Sequence, residues 1–135
     1  MNTLKKLSML ALGLTLFSFA SLANGYDFDD PNSKIVQKAI DAVANAEDND
    51  WETLAQSAEI CFMKKENMEE AVTWIEHSIK IKETPYNMEV YGDYLASVGK
   101  NKEARRHYYN AIVLIKQKEP TSENTRLQQK IWDLR

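Results

Sequence analysis

The residues able to do chemistry are few and far apart. Cys61 is the only cysteine, and the two histidines, His77 and His107, stand thirty residues from each other. A zinc site needs three or four converging ligands. No His–His or carboxylate–His spacing surrounds either histidine, so both are expected on the surface. Cys61 falls on an apolar helical stripe with Leu54, Ala58 and Phe62, where a thiol packs as a small hydrophobe. It lacks an obvious activating base, and an intermolecular disulfide is the alternative use for it. The acids at 27–30 and 47–50 lack the alternating spacing, turn glycine and distant Glu of a calcium loop. The basic run at 100–107 is broken by Glu103 and has no interleaved aromatics to stack on bases. No G-x-S-x-G, H-E-x-x-H or Walker pattern occurs. No catalytic residue, metal or cofactor is therefore expected, and the chemistry that remains is recognition.

The first segment reads as a targeting signal. Lys5 and Lys6 precede an uncharged run at 7–26, and the small residues Ser21 and Ala23 sit three and one places before a cut after Ala23. This is the order of a secretory signal peptide at 1–23; a cut after Gly25 also fits, and an uncleaved anchor is the alternative. Ser8, Gly13, Thr15, Ser18 and Ser21 dilute the apolar run and argue for cleavage. Export through the secretory pathway, to a periplasm or outside the cell, is the expectation. Losing Lys5 and Lys6 takes the formal charge from −3 to −5 over the remaining 112 residues. That acidity disfavours nucleic acid as a partner. No second apolar run follows, so no membrane insertion is expected after cleavage.

Residues 24–33 read as a polar linker, and the elements that follow are all helices. Ser33 is the expected cap of a helix at 34–46 bearing Ile35, Ala39, Ile40, Val43 and Ala46 on one side. Asp50 or Asn49 caps 51–64, with Trp51, Leu54, Ala55, Ala58, Cys61 and Phe62 spaced at three and four. Asn67 with Glu70 suggests a capping box for 68–82. Thr84–Pro85 opens a fourth helix, since proline suits the first helical position, and Gly99 stops it near Val98. Asn101 caps 102–118, Pro120 ends it, and Thr121 or Ser122 begins a last helix carrying Leu127, Ile131 and Leu134. Such short connections require antiparallel neighbours.

The helices repeat. A shift of 33 aligns Ala58 with Tyr91, Phe62 with Leu95, Ala71 with Ala104, Ile75 with Tyr108 and Ser78 with Ala111. The second copy reads Met88-x2-Tyr91-Gly92-x2-Leu95, then Ala104-x3-Tyr108-x2-Ala111. This resembles the tetratricopeptide repeat, whose small residues let the two helices of a hairpin approach closely. The first copy departs from the pattern: Glu59 stands in the glycine place and Ser78 in that of the last alanine. The resemblance implies an all-α fold, with antiparallel hairpins in a short right-handed superhelical array. The repeats would lie at 52–84 and 85–118 within a domain at 34–135, with a capping helix at 121–134. Ala39-x3-Val43-x2-Ala46 has the spacing of a lone second helix before them.

The same resemblance implies a concave ligand face on the first helix of each hairpin. By register that face carries Thr53, Gln56, Ile60 and Met63, then Tyr86, Glu89, Asp93 and Ser97. Relatives that clamp a peptide's terminal carboxylate use Lys and Asn there. Gln56 and Ile60, then Glu89 and Asp93, occupy the matching places. The expected partner is a protein or peptide with a basic segment opposite Glu89 and Asp93, held by Gln56, Ile60, Met63, Tyr86, Glu89 and Asp93. The alternative is a structural unit that self-associates through Trp132 and the last helix, or an accessory subunit of an envelope complex. An enzyme is not expected.

Overall fold

The computed structural model describes residues 31–135, with side chains from Ser33 onward; the signal peptide expected at 1–23 lies outside the described residues. Six helices follow in order: α1 (Pro31–Ala44), α2 (Trp51–Lys64), α3 (Met68–Ile81), α4 (Pro85–Ser97), α5 (Asn101–Lys118) and α6 (Thr125–Asp133). They pack as sequential antiparallel neighbours, and the described residues contain no strand. Contact also skips one step in the chain: α2 lies against α4 as well as α3. None of these helices is long and apolar enough to cross a membrane.

Local chemistry sets the helix ends. Asp50 caps α2, its carboxylate accepting from the Thr53 N–H at 3.0 Å. Thr84 opens α4 with a full capping box: its hydroxyl accepts from the Asn87 N–H, and the Asn87 amide oxygen accepts from the Thr84 N–H at 2.9 Å. Pro85 fills the first turn as expected. Other starts differ from expectation. α1 begins at Pro31, ahead of Ser33, because a proline at the first helical position loses no bond. Asn67 and Glu70 bond to each other at 2.9 Å instead of capping reciprocally, since Asn67 is left-handed at φ 53 and its side chain cannot reach the α3 amides. Asn101 is the first residue of α5, not its cap. α6 starts at Thr125 instead of Thr121 or Ser122. The Lys116 ammonium donates to the Pro120 carbonyl at 3.1 Å and to that of Ser122, holding this stretch as a turn.

α2 and α4 end alike. The Lys65 and Glu66 N–H groups bond back to the Phe62 and Cys61 carbonyls, and those of Gly99 and Lys100 to Ala96 and Leu95. Both are Schellman closures, which put one residue in the left-handed region. Gly99 fills that place at φ 77, Lys65 at φ 57.

Two apolar clusters make the core. One joins α1 to α4 through Val36, Ala55, Ala58, Cys61, Ala71, Ile75 and Val90. The other joins α4 to α6 through Met88, Leu95, Ala104, Tyr108, Ala111 and Leu127. A Cβ on Gly92 would lie 2.6 Å from the Tyr108 ring, so the missing side chain there lets α5 pack closely on α4. A buried polar hub ties the helices on the other side. Asn87 donates to Ser78 Oγ at 3.0 Å and to the Lys82 carbonyl at 2.7 Å, and Ser78 donates to the Trp51 carbonyl at 2.6 Å. Ser78, a departure from the repeat pattern in sequence, thus anchors α3 to the start of α2.

Candidate partner-binding face

The adjacency of α2 and α4 leaves a cleft of ≈ 240 Å³ between them, lined by Glu59, Phe62, Met63, Val90, Asp93, Tyr94 and Ser97. Its floor is aromatic. Phe62 stacks on Tyr94 with centroids 4.5 Å apart, and Tyr91 stacks beyond it at 6.2 Å. Offset rings of this kind are stiff, broad apolar surfaces. Met63 stands at the rim with 65 % of its surface exposed. Its thioether is polarizable and adapts to varied partners.

Tyrosines from neighbouring helices orient the two acids of the cleft, Glu59 and Asp93, and a third tyrosine bonds Glu76 on α3. Tyr86 donates to Glu59 at 2.5 Å, Tyr108 to Asp93 at 2.7 Å and Tyr91 to Glu76 at 2.6 Å. Burial, then the carboxylate that each phenol faces, pushes the three hydroxyls well above the ordinary tyrosine range. The phenols therefore stay protonated and act as the donors in these bonds.

The acids on α4 have a second set of partners. Arg126 bonds both oxygens of Glu89, the second at 2.7 Å. Lys130 reaches Glu89 at 2.7 Å and both oxygens of Asp93 at 2.6 and 2.8 Å, and lies 5.4 Å from the centre of the Tyr108 ring. The basic residues opposite Glu89 and Asp93 thus come from α6 of the same chain.

The face residues drawn from the repeat register border different hollows. Met63 and Asp93 share the α2–α4 cleft. Gln56 and Ile60 instead line a shallow groove of ≈ 270 Å³ against α1, with Ile35 and Ala39, and Gln56 bonds Glu52 at 3.2 Å. Tyr86 turns its hydroxyl to Glu59 and borders a third hollow of ≈ 380 Å³ with Trp51 and Lys82; there the Lys82 ammonium sits 5.3 Å from the Trp51 ring. Glu89 is bound up with α6. The repeat register does not point to Glu59, Phe62, Tyr94, Arg126 or Lys130. Only the last two leave a signal in the sequence: two cations four apart on a helix that follows two acids four apart.

Cys61 and the histidines take other roles. Cys61 is fully buried, and burial raises its thiol above the usual range, which keeps it unreactive. His77 is exposed as expected. His107 is not a surface residue: it is half-buried, edge-on to Tyr91 with centroids 4.8 Å apart, its Nδ1 3.3 Å from the Met88 sulfur. Burial, and then the nearby Arg106 charge, lowers its pKa, with Glu83 opposing. No family model, curated protein or solved structure matches the chain.

Proposed function

We propose that the protein is an exported interaction module with a tetratricopeptide-like arrangement, which binds a segment of another polypeptide in the cleft between α2 and α4. The observation that carries this reading is the exposed Met63 over an aromatic floor, walled by oriented carboxylates. Contact between the first helices of successive hairpins, and the glycine-permitted approach of α4 to α5, support the repeat arrangement. The targeting signal read from residues 1–23 supports an extracytoplasmic setting. Binding is the favoured role because the one thiol, Cys61, is fully buried and burial holds it in its protonated form.

Capture from envelope extracts tests the reading. Met63→Glu places a charge over the apolar floor without disturbing the core. It is expected to lose at least about tenfold of the captured partner, the loss of ~1.4 kcal/mol, while far-ultraviolet circular dichroism stays unchanged. Undiminished capture by M63E would refute the reading.

A second reading, self-association, draws on Trp132, which is 59 % exposed at the end of the array with the Arg135 guanidinium 3.8 Å over its ring. Under it, light scattering would show a dimer that Trp132→Glu dissociates. The module reading expects a monomer in both cases.

A further inference from the structure

Lys130 sits in a site built for an ammonium group. Its three N–H donors meet Glu89 Oε1 and the two oxygens of Asp93, and the Tyr108 ring lies beneath. Asp93 is itself aimed by the Tyr108 hydroxyl, and the Glu89 side chain is only 16 % exposed. Four residues before, Arg126 grips both oxygens of Glu89. The acids recur at four on α4 and the bases at four on α6, so the two helices are matched in charge and in spacing. Each base is followed by an apolar residue, Leu127 and Ile131, that joins the second core cluster. What α4 recognises is thus a short pattern: base, apolar, two others, base, apolar.

The occupant is short and held mainly from α5: Arg105 donates to the Leu134 carbonyl at 2.8 Å, and Ile131 and Leu134 pack beside Leu127. α6 has nine residues, too few to be helical alone. Its backbone packs on α5, and it reaches α4 by side chains only. A non-helical stretch from Glu119 to Asn124 joins it to α5, and Leu127 is its only fully buried residue. Arg126, 69 % exposed, stands at the rim, where a competing cation can reach its acceptor.

We propose that the acidic side of α4 is a receptor for a basic amphipathic helix, and that α6 is its resident occupant, which a partner helix of the same pattern replaces. The proposal rests on the interaction-module reading and names the partner's chemistry: a polypeptide helix with two cations one turn apart, each next to an aliphatic residue. Asp93 also lines the α2–α4 cleft, so a helix that takes Asp93 from Lys130 lies beside the aromatic floor and Met63.

The test uses the full chain and a labelled synthetic peptide of residues 121–135. In the double variant R126E/K130E the resident helix is repelled by Glu89 and Asp93. Fluorescence anisotropy should show the peptide binding that variant at least about tenfold more tightly than the native chain, where α6 competes at an effective concentration of order millimolar. Adding E89Q and D93N should abolish the gain, and a peptide carrying R126E and K130E should not bind. The milder R126Q/K130Q pair gives the same ranking should the charge reversal unfold the chain. Equal binding to native and variant proteins, or equal binding of the charge-reversed peptide, would overturn the proposal and leave α6 as a fixed cap. In that event a loss of partner by M63E would still uphold the module reading. Intact M63E capture together with peptide exchange would refute the α2–α4 cleft and uphold the α4 receptor.

Discussion

At Gly92 the missing side chain is what lets α4 lie against the Tyr108 ring of α5. Gly92→Ala would gain about 1 kcal/mol in helix propensity. It would also force a Cβ to within 2.6 Å of a buried ring held by its bond to Asp93, overpacking that costs about 1–3 kcal/mol. A net loss of about 1 kcal/mol in urea denaturation is expected. Asn87 was not legible as a hub, because its partners Ser78 and Lys82 lie in the preceding helix and turn, where no local pattern reveals them. His107 was misplaced for a like reason: its neighbours Tyr91 and Met88 come from α4. Its lowered pKa makes a pH prediction. The unfolded chain takes up the proton near the ordinary value of 6.5 while the folded one resists it. Stability contributed by neutral His107 is therefore present above pH 6.5 and declines as pH falls below it. Denaturation midpoints measured from pH 7.5 to 5.5 should fall, and His107→Gln should flatten that slope.

At the scale of elements, ends written in local sequence were readable and ends set by distant groups were not. Thr84, Pro85 and Gly99 each act on their own backbone, so the bounds of α4 follow from the chain. The start of α6 does not, because Lys116, a turn back on α5, holds the Pro120 and Ser122 carbonyls. Asn67 caps nothing, because the preceding turn has already put it in the left-handed region. The repeat exposes an unoptimised position. Lys65 takes the left-handed place that Gly99 fills in the second hairpin. A side chain there costs about 1–2 kcal/mol, of which glycine's greater unfolded freedom returns part. Lys65→Gly should therefore stabilise the protein by about 0.5–1 kcal/mol, seen as a higher urea midpoint with an unchanged denaturant slope.

For the molecule as a whole, the all-helical class and the antiparallel order followed from helical spacing and short connections, and the described residues form six helices in sequential pairs. The position of the face was only partly legible. Repeat register tells which side of α2 or α4 a residue lies on, yet not what neighbour covers it. α1 borders Gln56 and Ile60, α6 engages Glu89, and what stays open is Met63 with the aromatic floor of Phe62 and Tyr94. Phe62 read as a core residue in the sequence because a half-buried ring and a buried one have the same spacing. The opposing charges of α4 and α6 matter at this scale too. Under the α4-receptor proposal, they make the far end of the array a place where a basic helix is recognised, beside the α2–α4 cleft.

The central claim, that the α2–α4 cleft is where another polypeptide binds, is tested most directly by photo-crosslinking from within it. A photoreactive amino acid in place of Met63, in the full chain expressed in its native host, should yield a discrete crosslinked species containing a second polypeptide. The same group in place of His77, exposed on α3, should yield none. Crosslinks from position 77 with none from position 63 would contradict the claim.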